Sequence, residues 1–299
     1  MFEIADRILA AFDAGNRLAV ATAIEITGSA PRPVGTSMAY DGSAVIGSIA
    51  GGCVEGAVVE TCESVLADGI ARTVDYGFSD ETAFDVGLTC GGQLRIHVQL
   101  VTSEMADSLR EQRDIEVCQE FTERPVEAAR MIILGAMEFS AALAAAARVV
   151  GYRVTVCDPR ALFATPERFL GCEIVVGWPP EYLAETAIDD RTVICVLSHD
   201  ARFDAEAIDV ALSSRAAYVG AMGSRLTHDR RVASLIEREV HPDRLARLHS
   251  PIGLDLGAST PQETAVAILA EVLAARMDAT ALPLTVTNGA IHSRRDVRA

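Results

Sequence analysis

Two short stretches in the first hundred residues combine glycine, cysteine and acid. In Gly47-Ser48-Ile49-Ala50-Gly51-Gly52-Cys53-Val54-Glu55-Gly56, Gly51 and Gly52 lie just before a predicted helix. Glycines there expose backbone N–H groups at the positive helix end, an arrangement suited to anions. Cys53 falls in the first helical turn, where a thiol becomes more acidic and so more nucleophilic or more apt to bind metal. The alternative, usual for a single cysteine, is a small buried residue. Glu55 reads either as part of the same site or as a helix-start acid. The second stretch, Thr89-Cys90-Gly91-Gly92, precedes a strand. Two such clusters in one small domain point to a shared pocket for an anion or for sulfur, or else to two tight turns. Upstream, Pro31 and Pro33 bracket Arg32. A residue before proline is pushed to extended backbone, so Arg32 is expected as a preorganised anion clamp, or as a solvated side chain on a rigid turn.

The second half carries its own candidates. Gly135-Ala136-Met137-Glu138-Phe139-Ser140 occupies the position of a dinucleotide-binding turn but lacks the second and third glycines of G-x-G-x-x-G. Met137 would obstruct a pyrophosphate and Glu138 would repel it. Asp158, 23 positions after Gly135, stands where a ribose-binding acid belongs. Ser198-His199-Asp200 ends another strand. It is no catalytic triad, because consecutive side chains on extended chain point apart. His199 is expected as a ligand contact or as a histidine satisfied within its loop. Gly220-Ala221-Met222-Gly223-Ser224-Arg225 reads as a glycine turn into a helix, able to hold an anion with Arg225 as counter-charge, or as a helix cap with a surface arginine.

Composition limits the chemistry further. The chain has 299 residues and a formal net charge of −16, and all 26 of its lysine-plus-arginine residues are arginine. Without lysine there is no Schiff base to pyridoxal phosphate and no P-loop lysine. Any anion is held by arginine and backbone N–H groups. The acidic balance argues against nucleic-acid binding and against docking on anionic membranes. Seven cysteines without a CxxC pair fit a reducing, cytoplasmic setting rather than a disulfide framework, and offer no iron–sulfur spacing. The start of the chain carries acids early and no basic region, so no signal peptide is expected, and no apolar run is long enough to span a bilayer.

The elements that must position these residues read as α/β in two parts. Residues 1–102 are expected as a small α/β domain: a helix over Phe2–Ala14, strands near Leu18–Ile26, Arg72–Tyr76 and Gln93–Val101, a hairpin at Asp41-Gly42, and a helix from Cys53 to Ala67 stopping at Gly69. Residues 103–129 are charged and weakly periodic, and are expected as a linker or short helix. Residues 130–277 alternate short apolar strands with helices, the pattern of a doubly wound parallel sheet of Rossmann type. Its last helix is signalled by Thr260, Pro261 and Glu263, a capping box with proline at the first position. Residues 278–299 are expected as a loose tail.

The stretches GSAPRPVGTSM, GSIAGGCVEGAVVE, GLTCGG, YVGAMGSR and SPIGLDLGASTPQETAVAILAE, in this order, resemble the XdhC/CoxI family of accessory factors of xanthine and carbon monoxide dehydrogenases. The resemblance implies an XdhC/CoxI domain followed by a Rossmann-like domain, and a maturation factor that binds molybdenum cofactor (molybdopterin) as a transient guest. It further implies support of cofactor sulfuration with a sulfur donor protein, delivery to an apo-molybdoenzyme client, and a homodimer. It marks Arg32, Gly51, Gly52, Cys53, Glu55, Cys90, Gly91 and Gly92 in the first domain. In the second it marks Gly135, His199, Gly223, Ser224, Arg225 and Gly253–Asp255. Two competing readings stand beside it: an NAD(P)-linked oxidoreductase using the second domain, and a scaffold in which the glycine clusters are merely turns.

Overall fold

The computed structural model describes residues 1–28, 32–77 and 93–288. The chain divides into two compact units, Met1–Val126 with residues from Asn288 onward, and Glu127–Thr287.

The first unit is built on a five-stranded antiparallel sheet. Its elements are α1 (Ala5–Asp13), β1 (Ala19–Thr27), β2 (Ser37–Tyr40), β3 (Val45–Gly47), α2 (Glu55–Asp68), β4 (Arg72–Tyr76), β5 (Gln93–Leu100), α3 (Ser103–Arg110), β6 (Ile115–Cys118) and β7 (Phe121–Glu123), with sheet order β3-β2-β1-β5-β4. Alternation along β1 sends Ala19, Ala21 and Ala23 to one face, where α2 covers them with Val58, Cys62 and Val65. Leu18 and Val20 face the other side, under Ile8 of α1, Met105 and Leu109 of α3, and Ile115 of β6. The small alanines let α2 approach the sheet closely. Gly69 ends α2 in the left-handed conformation, as its position predicts.

Residues 103–129, expected as a linker or short helix, hold more than one short element. They form α3 and the β6–β7 hairpin and supply Met105, Leu109, Ile115 and Val117 to a buried core. The weak periodicity reflects the shortness of these elements. Thr102 caps α3 by accepting the Met105 N–H at 3.2 Å.

The second unit is a six-stranded sheet with helices on both faces. It contains β8 (Arg130–Leu134), α4 (Glu138–Val149), β9 (Arg153–Cys157), β10 (Glu173–Val175), α5 (Pro179–Glu185), β11 (Val193–Val196), α6 (Asp204–Ser213), β12 (Tyr218–Ala221), α7 (Arg225–Glu237), α8 (Pro242–Leu245), β13 (Leu248–His249) and α9 (Pro261–Met277). All pairs are parallel, in the order β10-β9-β8-β11-β12-β13. Numbered from its first strand this is 3-2-1-4-5-6, the Rossmann order, and the direction of winding reverses between β8 and β11. Met131, Ile133, Val154, Val156 and Cys195 meet α4 and α9 on one face. Ile132, Leu134, Ile194 and Val196 meet α5 and α6 on the other. Burial on both sides explains the unbroken apolar strands. The capping box of α9 forms as its sequence predicts, with the Glu263 N–H on Thr260 Oγ1 and the Thr260 N–H on Glu263. Beyond α9, the described residues hold only a 3-10 turn at Leu284–Val286.

Candidate functional site

In the first unit, the glycine turn between β3 and α2 closes on an acid. Glu55 is the first residue of α2, and its carboxylate folds back into the turn. Oε1 accepts from the Ser48 hydroxyl (2.7 Å) and from the N–H groups of Ile49 (3.2 Å) and Ala50 (2.9 Å). Oε2 accepts from the N–H groups of Gly52 (2.7 Å) and Val54 (3.3 Å). Burial by itself would raise this carboxyl's pKa; the Ser48 hydroxyl and the converging N–H groups outweigh it and hold the pKa at about 2. The Gly51 N–H donates to Ser48 Oγ at 3.2 Å. The turn therefore does gather donors around an anion, but the anion is the chain's own, and the Gly51 and Gly52 donors expected for a guest are engaged internally. Cys53 stands in this turn, half-buried against the core under α2.

Arg32 is not an open clamp. Its Nη2 lies 2.5 Å from both carboxylate oxygens of Glu3. Cys90, Gly91 and Gly92 lie outside the described residues, and the expected shared pocket lies outside them too. Three other thiols are set apart by burial, which pushes Cys62 and Cys157 up to about 12 and Cys195 well above the ordinary thiol range.

In the second unit, the expected residues sit on loops at the carboxyl ends of the strands, the edge where open α/β sheets bind ligands. Gly135 follows β8 with φ +99°, and a Cβ there would stand 2.9 Å from the Ser198 nitrogen. Glycine is required because the loop after β11 presses against it. Asp158, at the end of β9, is 1% exposed. It accepts the Ala136 N–H (2.8 Å), the Arg160 N–H (2.9 Å), Arg160 Nε (2.9 Å) and Arg160 Nη2 (2.8 Å). Burial raises its pKa, but the Arg160 guanidinium and these N–H groups prevail and hold it below the carboxylate range. Asp158 is thus turned inward, onto the turn and the guanidinium, and not toward a ribose.

The same fork recurs after β11. Asp200 accepts the Arg202 N–H (3.1 Å), Nε (2.9 Å) and Nη2 (2.5 Å), which brings its pKa to about 2. Arg160 and Arg202 were not among the expected residues. The signal is present in the sequence as Asp158-Pro159-Arg160, directly after β9, and Asp200-Ala201-Arg202, in the loop after β11. His199 is exposed between Ser198 and Asp200. Behind it, the Ser198 hydroxyl donates to Asp204 at 2.5 Å. Asp204 pairs at 3.6 Å with Arg231, which donates to the Met222 carbonyl (3.1 Å) and to Ser250 Oγ (3.3 Å). Both members of this pair are buried, and burial pushes Asp204 up and Arg231 down.

Farther along the edge, a Cβ on Gly223 would meet Thr227 at 2.9 Å. Ser224 caps α7 by accepting the Thr227 N–H at 3.1 Å. Arg225 is exposed, and no ion pair is formed by it among the described residues. The Gly253 N–H donates to Glu271 at 2.6 Å, and Asp255 is exposed. A shallow depression of about 470 Å³ between α5 and α6, lined by Leu183, Ile188, Asp209 and Arg215 among others, contains none of these residues. Among the described residues no group of three or more His, Cys, Asp or Glu is placed to hold a metal. No described helix is long and apolar enough to cross a membrane.

Residues 131–272 match the family model of the XdhC Rossmann domain, and residues 11–77 match that of the XdhC and CoxI family. The chain belongs to the XdhC/CoxI family. The family match covers the glycine turn of the first unit and the strand-end loops of the second. Among similar proteins, YqeB of Escherichia coli is 27% identical over 261 residues, which is 87% of this chain and 44% of that protein. The match thus spans less than half of YqeB. A probable xanthine dehydrogenase subunit of Bacillus subtilis is 24% identical over 86% of this chain and 92% of its own length. The molybdenum cofactor insertion chaperone PaoD of E. coli is 24% identical over 88% of this chain and 85% of its own length. The crystal structure of a xanthine dehydrogenase from Bacillus halodurans shares the fold with a TM-score of 0.75 at 21% identity, covering 93% of this chain and 96% of that chain.

Proposed function

We propose that this chain is a maturation factor that binds molybdenum cofactor as cargo, supports its sulfuration, and hands it to an apo-molybdoenzyme of the xanthine dehydrogenase type. The observation that carries this reading is the alignment with PaoD, which runs through both matched segments and through 85% of that protein. A sulfur donor protein as second partner, a homodimer and a cytoplasmic location belong to the same proposal.

The cargo is an anionic pterin bearing a phosphate and sulfur ligands to molybdenum. Thiolates suit such soft partners. Of the described cysteines, Cys62, Cys157 and Cys195 are buried with pKa values far above neutrality, which leaves them as inert thiols. Cys53 is half-buried in a turn whose backbone is fixed by Glu55, and this reading assigns sulfur or metal to Cys53 or to Cys90, the latter outside the described residues. Glu55 would act by holding that turn, not by touching the cargo. Phosphate and oxo groups would fall to guanidinium and backbone N–H groups.

The oxidoreductase reading loses its ribose-binding acid, because Asp158 is enclosed by Ala136 and Arg160. Titration of the purified protein with molybdopterin, comparing wild type with Cys53→Ala, Cys90→Ala and Arg32→Ala, tests the proposal. Saturable binding lost in Cys53→Ala supports it. No binding of the pterin by wild type overturns it, and a rise in thermal stability at micromolar NAD(P) would favour the oxidoreductase instead.

A further inference from the structure

The helices α4 and α9 lie side by side on one face of the second unit's sheet. Their inner sides are buried in the core. Their outer sides are apolar as well, which is unusual for helices at a surface. Between Glu138 and Arg148 the chain reads FSAALAAAA, without a charge. Along α9, Val266, Ala270, Leu273 and Met277 follow one another at spacings of four, three and four, on the side turned away from the sheet. Val266 is 58% exposed, Leu273 42% and Met277 61%. On α4 the outward residues Ala142, Ala145 and Val149 keep the same three-four rhythm, with Phe139 beside them, and Val149 is 87% exposed.

The charged side chains that these two helices do carry are all drawn elsewhere. Glu138 pairs with Arg168 at 2.9 Å, and Arg148 donates to the Leu170 carbonyl at 2.7 Å. Glu263 closes its capping box. Glu271 turns inward, accepting from Tyr218 at 2.6 Å and lying 3.1 Å from His249 Nδ1, and Arg276 donates to the Tyr152 hydroxyl. What is left outside is an uncharged seam in which alanines alternate with larger apolar side chains. A three-four rhythm is the pattern by which one helix seats its knobs in the holes of another. Nothing among the described residues covers this seam. On the opposite face of the sheet, α6 and α7 present Glu206, Ser213, Asp229 and Arg230 to solvent instead.

We propose that the outer face of α4 and α9 is the contact between two copies of this chain, each giving the same face about a two-fold axis. The size suits a stable dimer. At 1.5 Å per residue α4 is about 18 Å long and α9 about 25 Å, and two helices abreast span about 20 Å. With the relief of the side chains, that footprint is on the order of the 800 Å² that each partner gives to a standard interface. A monomer rarely leaves so continuous an apolar face in water. Charge selects a second copy as the occupant. The net charge of −16 sets copies apart over the rest of their surface, but this face holds nothing to oppose contact and nothing for a charged partner to recognise. The same net charge disfavours an anionic membrane. The face deepens the homodimer included in the proposed function by giving it a location, and it stands without the cargo: dimer and pterin binding can fail separately.

Sedimentation equilibrium of the full chain at micromolar concentration tests the face. Wild type should be a dimer. Val266→Glu on α9 and, separately, Ala145→Glu on α4 each place a carboxylate in the seam. Both positions are exposed, so the fold should persist, as far-ultraviolet circular dichroism will show. Each substitution should raise the dimer dissociation constant at least tenfold, and the two together should leave a monomer; weakening by either supports the face. Ile236→Glu on α7, at a residue as exposed as Val266 (59%), should change nothing. A dimer untouched by both seam variants would overturn the face and leave a homodimer built elsewhere. A monomeric wild type would overturn the face and the homodimer together, and would assign the seam to a different protein. Neither result alters the outcome of the pterin titration.

Discussion

Two turns lead from a strand into a helix, one in each unit, and a carboxylate organises both. In the first, Glu55 belongs to the helix itself and collects four backbone N–H groups of its own turn with a serine hydroxyl, and no cation takes part. In the second, Asp158 comes from a neighbouring strand, takes one N–H of the turn, and gives the rest of its capacity to Arg160. The first arrangement fills an anion cradle from within and leaves a thiol beside it. The second uses an acid to hold a cation in place. The same chemical group thus closes one turn and equips the other, depending only on whether a guanidinium is within reach.

The sharpest break of this comparison is removal of the enclosed acid. Asp158→Ala leaves the Ala136 N–H and a guanidinium without their partner and should lower the stability of the second unit by about 2–4 kcal/mol. The only tryptophan, Trp178, lies in that unit, so its fluorescence during urea unfolding reports the loss. Gly135→Ala should follow at about 1–3 kcal/mol by the same measurement, because the left-handed backbone and the approach of Ser198 both resist a side chain. Gly51→Ala has φ +76° but open space around it, so its cost should be about 1 kcal/mol. If the two glycine variants were equally costly, contact with Ser198 would not be what demands Gly135.

Glu55→Gln should cost about 1 kcal/mol, followed by far-ultraviolet circular dichroism, since a carboxamide presents an N–H₂ to donors and part of the group is screened by water. The pH dependence has a definite sign. Glu55 is depressed from the ordinary value near 4.5 to about 2. Its contribution is therefore fully present above pH 4.5 and is lost as pH falls from there through 2, where the folded-state carboxylate takes up its proton. The glutamine variant should lack that part of the acid sensitivity. Smallest is a kinetic contrast: a disulfide reagent at about pH 8 should modify Cys53 well before Cys62, Cys157 and Cys195, whose burial and raised pKa values withhold the thiolate.

Much of the architecture is legible in the sequence because it is written locally. Unbroken apolar strands such as Met131–Leu134 announce burial on both faces, Asp41-Gly42 announces a hairpin, and Thr260 with Glu263 announces α9. The hairpin over Ile115–Glu123 is not legible, since strands of three or four residues carry too few alternations to show a period. The sites are less readable still. Glu55 looks like an ordinary helix-start acid until the turn folds onto it. Arg160 and Arg202 are 42 positions apart, and only the order β9-β8-β11 makes them neighbours across one turn. Asp158 occupies the expected position with a different role, because what it binds depends on Arg160, which the dinucleotide fingerprint does not weigh.

The contact between Gly135 and Ser198 has a kinetic consequence. The loops after β8 and β11 already touch, so their relative placement is settled before any visitor arrives at that edge. Arrival then freezes little and departure relaxes little, and the dwell time of a guest follows from the handful of bonds it makes itself. The dwell time of a ligand on such a floor is set by single side chains, without retuning the sheet beneath.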